Sequence, residues 1–131
     1  MSTFVLRILA VAVVVLAVAG CRAATVYNVE NASLNVNKPT TAAQVQAAIK
    51  RAGATLGWSM RDVAPGHIEA RLPVRTHVAV ADILYNSKDF SIKYKDSTNL
   101  NYDAKDNTIH SNYNGWVQNL QKAIMAQTST L

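Results

Sequence analysis

Hydrophobic and polar residues divide this 131-residue chain into two unequal parts. Twelve consecutive apolar residues, 8–19, follow a short start whose only charge is Arg7. The apolar run is shorter than the roughly 20 residues that a bilayer-spanning helix needs, and Arg22 closes it on the other side. This pattern favours a secretory signal peptide over residues 1–20 rather than a permanent membrane span. Beyond Cys21, apolar residues recur in short periodic segments.

The first periodic segment predicts a helix that begins near Thr41. Thr41 and Gln44 have the spacing of a capping box, in which each side chain satisfies a free backbone N–H. Apolar residues then recur at intervals of three and four, as on one helix face; they are Val45, Ala48, Ile49, Ala52 and Leu56. Gly53 and Gly57 are the expected stop signals.

Alternating apolar and polar residues then predict antiparallel strands. A short strand is expected at Trp58–Val63, and the inward positions of the three following strands are Ile68, Ala70 and Leu72, then Val78, Val80 and Leu84, then Phe90, Ile92 and Tyr94. A turn centred on Val74 pairs Leu72 with Thr76 and keeps these inward positions on one face. Asp82 is the exception on that face, and we interpret it as a strand end or a β-bulge.

The C-terminal part is predicted to form a second helix. The apolar stripe consists of Tyr113, Trp116, Val117, Leu120 and Ile124, and Ser111 or Asn112 is the expected N-cap. The preceding residues 95–111 are polar, with a short strand possible at Leu100 and Tyr102. The predicted fold is α+β: a small two-layer sandwich with an N-terminal helix, an antiparallel sheet of three to four strands and a C-terminal helix on the same face.

Composition excludes several classes of function. The formal net charge is +5, but the basic residues are scattered rather than clustered, so we expect no nucleic-acid partner. One cysteine excludes an intramolecular disulfide and the common structural zinc sites. The three histidines lack the spacing of a helical metal pair, and no catalytic or cofactor motif is present. We therefore predict no catalytic residue, no metal and no cofactor.

The residues that end the apolar run are more informative. Val18, Ala19, Gly20 and Cys21 resemble the lipobox of bacterial lipoprotein precursors: an aliphatic residue, two small residues and a cysteine. The resemblance implies that the Cys21 thiol is acylated, a modification that labelled palmitate would report, and that Cys21 becomes the first residue of the mature protein. The alternative is a lone structural cysteine after an ordinary signal peptide.

The resemblance also implies a location. Aspartate directly after the lipidated cysteine tends to mean inner-membrane retention, whereas here that residue is Arg22. We therefore expect an anchor in the outer membrane, facing the periplasm, with two or more acyl chains holding the protein stably. Residues 21–39 are interpreted as the lipidated cysteine and a flexible tether, although an edge strand at Tyr27 and Val29 is an alternative. Residues 40–127 form the predicted single domain, and 128–131 a frayed tail.

Two surfaces are candidates for binding. The first is the outward sheet face, with His67, Glu69, Arg71, His77 and Lys93 around a shallow floor of Ala79 and Ala81; a solvated face with cross-strand ion pairs is the alternative. The second is the Asn-rich segment 96–114, where amides and aromatics suit hydrogen bonding and stacking. Its candidate residues are Asn99, Tyr102, His110, Asn112 and Asn114, although asparagine is also a common turn residue.

These observations favour a membrane-anchored envelope lipoprotein that acts as a non-enzymatic binding or assembly module. Its expected partners are the membrane, through the lipid on Cys21, and an envelope protein or cell-wall component. The alternative is a cell-envelope enzyme, such as a hydrolase of cell-wall material, that uses Glu69 or Asp82.

Overall fold

The computed structural model describes residues 22–131, which form an α+β fold with two helices and two antiparallel sheets. The elements in chain order are β1 (Ala23–Thr25), β2 (Val29–Ser33), α1 (Ala42–Thr55), β3 (Ser59–Ala64), β4 (His67–Val74), β5 (His77–Tyr85), β6 (Asp89–Thr98), β7 (Thr108–His110) and α2 (Ser111–Thr128). The predicted signal peptide and Cys21 of the lipobox lie outside the described residues. The α+β class is confirmed.

The start of α1 follows the sequence prediction. The Thr41 hydroxyl accepts from the backbone N–H of Gln44 at 3.2 Å, and the Gln44 side chain accepts from the backbone N–H of Thr41 at 2.9 Å. The capping box is therefore confirmed. Gly53, however, lies inside the helix and is buried, and the chain reverses at Gly57, whose φ is +85°.

The cap of α2 differs from the prediction. Its N-cap is His110, whose Nδ1 accepts from the backbone N–H of Asn112 at 3.1 Å. Neither Ser111 nor Asn112 is the cap, because β7 leads directly into the helix and leaves His110 as the junction. The helix continues to Thr128, which is fully buried, so the predicted tail does not begin there.

The main sheet has more strands than the sequence predicts. Five strands lie in the order β2-β6-β5-β4-β3, all antiparallel, and β1 pairs with β7 in a separate two-stranded sheet. The predicted count of three to four strands is therefore too low. The additional strand β2 comes from the segment that was expected to be a tether.

The turn between β4 and β5 is tighter than predicted. Val74 pairs with His77, so only Arg75 and Thr76 form the turn. Arg75 has a φ of +56°, and a positive φ is what the favoured two-residue hairpin turns require. Pro73 is consequently a paired strand residue, opposite Val78.

This tight turn reverses the faces of β5. Leu72 lies opposite Ala79, three positions from the predicted partner Thr76, and an odd shift exchanges inward and outward residues. The buried residues of β5 are Ala79, Ala81 and Ile83, each with no exposed surface. The predicted inward set of Val78, Val80 and Leu84 is therefore wrong. Asp82 faces outward by ordinary alternation.

Both helices and one face of the sheet share one hydrophobic core. The fully buried residues include Val45, Ile49, Ile68, Ile83, Phe90, Ile92, Tyr113, Val117, Leu120 and Ile124. The predicted stripes of both helices are confirmed as buried, except that Leu56 is 40% exposed and Trp116 is half-buried. We call this side of the sheet the covered face.

The predicted flexible tether is wrong for residues 23–34. Val26, Val29 and Leu34 are buried in the core, at 7%, 4% and 7% exposure. Asn114 holds the connection between β1 and β2, because its side chain donates to the Thr25 carbonyl at 2.8 Å and accepts from the Tyr27 N–H at 2.9 Å. These residues are thus part of the domain, which extends upstream of residue 40.

Candidate functional site

The opposite side of the five-stranded sheet, which we call the uncovered face, carries mainly charged side chains. They project from β3, β4, β5 and β6 at the positions that alternate with the buried ones, and they are Arg61, His67, Glu69, Arg71, Asp82, Lys93 and Lys95. Val80 and Leu84 lie on the same face, and Leu84 is 41% exposed. Neither α1 nor α2, the two helices of residues 22–131, packs on this face.

Glu69 is the centre of an ion-pair network on this face. Its Oε2 lies 2.5 Å from Lys95 Nζ and 3.1 Å from Arg61 Nη2. The hydrogen bond from Lys95, and then that from Arg61, holds the pKa of Glu69 below its ordinary value, and Glu69 raises the pKa of Lys95 in return. Glu69 therefore stays ionised near neutral pH, which does not suit a general acid.

Strand β6 is irregular at Lys95, the residue that contacts Glu69. Val80 of β5 pairs with Asp96, whereas the next residue, Ala81, pairs with Tyr94, so Lys95 is the extra residue of a β-bulge. The bulge turns Lys95 toward both Glu69 and Asp82, whose Oδ1 is 3.8 Å from Lys95 Nζ.

Asp82, the other carboxylate of the predicted enzyme alternative, contacts His67 of the predicted binding face. His67 Nε2 lies 2.7 Å from Asp82 Oδ1, and each side chain is 27% exposed. A His–Asp pair orients a base in many hydrolases, but a nucleophile must then contact the histidine. Within residues 22–131, Asp82 is the side chain that His67 contacts by a hydrogen bond.

The remaining predicted residues of this face, Lys93 and Arg71, do not contact Glu69. Lys93 Nζ is 3.6 Å from Glu30 Oε2 of the edge strand β2. Arg71 is exposed and lies opposite Val80 instead of the predicted His77. It takes part in none of the ion pairs formed within the described part of the chain. The predicted floor is also wrong, since Ala79 and Ala81 are buried on the covered face.

The structure moves His77 from the predicted face to the other candidate region. Its Nδ1 donates to the Asn99 carbonyl at 2.6 Å, and its ring lies 6.5 Å from the ring of His110 and 6.4 Å from that of Trp116. Asn99 in turn donates to Thr76 Oγ1 at 2.9 Å. The reversal of β5 by the tight hairpin turn explains this change of face.

These contacts define a second region at one end of the sheet, which we call the histidine end. It consists of Arg22, Arg75, His77, Asn99, Asn101 and His110. Arg22, Ala23, Asn101 and His110 line an open cleft of about 290 Å³ there. Asn99 and Asn101 both have positive φ values, of 57° and 53°, which supports a turn role for these asparagines.

The other residues of the predicted Asn-rich site do not converge on one ligand position. Tyr102 stacks on Tyr94 with ring centroids 4.0 Å apart and is 39% exposed. Asn112 is exposed beside the cap of α2, and the amide of Asn114 is occupied by the β1–β2 connection. Asn114 therefore has a structural role in this fold.

The structure gives no geometric argument for a metal or a membrane-spanning helix in its described part. No group of three or more His, Asp or Glu side chains among residues 22–131 is placed to hold a metal ion. Neither of the two helices described there is long and apolar enough to cross a bilayer.

Arg61 contacts Glu69 in the observed network but was not among the predicted site residues. The signal was its position in β3, where Ser59, Arg61 and Val63 alternate with Met60 and Asp62. Arg61 lies directly opposite Glu69 in the β3–β4 pair. A register for the β3–β4 hairpin would have placed Arg61 beside Glu69.

No protein-family model, no curated protein and no solved structure matches this chain at a significant level.

Proposed function

We propose that this chain is a membrane-anchored envelope lipoprotein that acts as a non-enzymatic binding or assembly module. The lipobox resemblance supports the lipid anchor on Cys21, and Arg22 after it supports an outer-membrane location facing the periplasm. The binding partner is an envelope protein or a cell-wall component that docks on the uncovered face.

The observation that carries the binding role is the uncovered face itself. A sheet face that neither α1 nor α2 covers is available for contact, and its residues are held in place by the network around Glu69. Exposed ion pairs contribute little to folding stability, so such a network is more useful for presenting a fixed charge pattern than for holding the fold. Arg71 and Leu84 add a basic group and an exposed apolar group.

The test is site-specific photocrosslinking in intact cells. A photoreactive phenylalanine derivative at Arg71, which is exposed on the uncovered face, is expected to give a discrete crosslinked species. The matched control is Lys122, an exposed basic residue on α2, and it is expected to give none. Equal products at both positions, or none at Arg71, would contradict a partner on the uncovered face.

One contact favours a second function, a hydrolase of cell-wall material. The His67–Asp82 pair, at 2.7 Å, has the geometry of a base with its orienting carboxylate. We expect purified protein to leave peptidoglycan fragments intact. Turnover that disappears in both Asp82→Asn and Glu69→Gln would establish the enzyme instead.

A further inference from the structure

The lipid anchor and the folded domain are separated by almost no chain. The backbone carbonyl of Arg22 accepts from the N–H of Ser111 at 2.9 Å, and β1 begins at the next residue, Ala23. Ala23 lies opposite His110 in the β1–β7 pair. Because consecutive Cα atoms are about 3.8 Å apart, Cys21 is one residue from a backbone that is bonded to α2.

A connection this short restricts how the domain sits on a membrane. A flexible tether would let the domain rotate freely, whereas a backbone fixed one residue from the anchor holds one surface close to the bilayer. That surface is the histidine end, since Arg22 and His110 belong to it.

The chemistry of the histidine end fits a phospholipid headgroup layer. None of its six residues is acidic, and the side chains of Arg22 and Arg75 are exposed. Basic residues close to an anionic membrane surface are attracted to it. The half-buried Trp116 packs beside His77, and tryptophan is enriched where an apolar ring meets the polar layer of a membrane.

We infer that the histidine end lies against the anionic headgroups of the membrane that holds the lipid, an inference that rests on the proposed acylation of Cys21. The sheet then extends away from the bilayer. The β5–β6 turn lies at the opposite end of β5, a strand of 9 residues. At about 3.4 Å per residue this places the turn roughly 30 Å from the histidine end, and the uncovered face stands free in the periplasm.

The test measures which end of the protein contacts lipid. Ser111→Cys and Lys88→Cys each introduce an exposed thiol. The first adjoins Arg22 and His110 of the histidine end, and the second is in the β5–β6 turn. The acylated Cys21 is the only native cysteine and its thiol is blocked, so a fluorophore attaches to the introduced position alone. The full acylated protein is placed in phosphatidylethanolamine–phosphatidylglycerol vesicles that contain a nitroxide-headgroup lipid.

The label at position 111 is expected to be quenched several-fold more strongly than the label at position 88. A Gly-Ser insert of about ten residues between Cys21 and Arg22, which reaches about 18 Å on average, is expected to reduce that difference. Equal quenching at the two positions, stronger quenching at position 88, or a difference unchanged by the insert would overturn the inference.

The same preparations separate this inference from the proposed function. The intact mass of the vesicle-bound protein reports acylation independently of quenching. A chain that carries no lipid contradicts the proposed anchor and the orientation together. An acylated, vesicle-bound chain with equal quenching contradicts the orientation alone.

Discussion

On the covered face of the sheet, Ile68, Ile83 and Ile92 have no exposed surface, whereas Glu69, Lys95 and Asp82 on the uncovered face are partly exposed and paired with one another. The two sets come from the same three strands, in which successive side chains point to opposite faces of the sheet. Apolar burial stabilises folding in proportion to the area removed from water, while exposed ion pairs contribute little. The covered face therefore contributes most of the stability, and the ion pairs of the uncovered face contribute little.

The largest expected effect comes from opening a cavity under the covered face. Phe90→Ala removes a fully buried aromatic ring and is expected to destabilise the protein by about 3–5 kcal/mol. Urea unfolding of the purified protein measures the loss. Leu84→Ala on the uncovered face is the control, with an expected loss of stability below about 1 kcal/mol. Equal losses for the two variants would contradict the conclusion that the covered face contributes most of the stability.

A smaller loss of stability is expected at Asn114, which connects α2 to the segment between β1 and β2. Asn114→Ala removes the side chain that bonds Thr25 and Tyr27, which leaves two backbone groups without partners and costs about 1–3 kcal/mol. Hydrogen exchange at Tyr27 is expected to accelerate. Asn112→Ala, where the backbone N–H makes the cap contact, is expected to leave both quantities unchanged.

A polar atom that makes no hydrogen bond within the described residues lies in the covered core, and removing it sharpens the comparison. The Tyr113 hydroxyl is buried without a hydrogen-bond partner among residues 22–131, and burial raises its pKa. Tyr113→Phe is expected to leave stability unchanged or to raise it by about 1 kcal/mol. A clear loss in the same unfolding experiment would show that the hydroxyl is satisfied.

The smallest expected effect is on the uncovered face and depends on pH. Because the pKa of Glu69 is lower in the folded state than its ordinary value of 4.5, its contribution is present above that value and is lost as pH falls through the folded pKa. Glu69→Gln is expected to lower stability slightly at neutral pH and to remove this part of the acid dependence. Unfolding curves recorded from neutral to acidic pH measure this pH dependence of the free energy of unfolding. The same pH dependence in the native chain and in Glu69→Gln would contradict the ion pairs assigned to Glu69.

The sequence pattern predicts the parts of the fold in which the periodicity has one interpretation. Ile68, Ala70 and Leu72 alternate with charged residues, so their face is unambiguous, and the capping box at Thr41 marks the start of α1. In β5 the same rule fails. Small or apolar residues occupy every position from 78 to 81, so the pattern does not distinguish the two faces, and the register depends on a turn that begins with arginine.

The candidate site shows the same division. The placement of His67, Glu69 and Lys93 on one face follows from alternation, whereas the bulge at Lys95 and the pairing of β2 with β6 do not. In β2, Val29 is buried while Glu30 and Asn31 are exposed, so the strand resembles a polar loop in sequence. His77 lies near His110 because the tight β4–β5 turn reverses the faces of β5.

The most direct test of the membrane-anchored module is the intact mass of the protein extracted from its native membrane. We predict a chain that begins at Cys21 and carries diacylglyceryl and acyl mass, and a Cys21→Ser variant that remains an unprocessed precursor. An unacylated chain in the native preparation, or a Cys21→Ser variant that matures to the same first residue and stays on the membrane, would contradict the account.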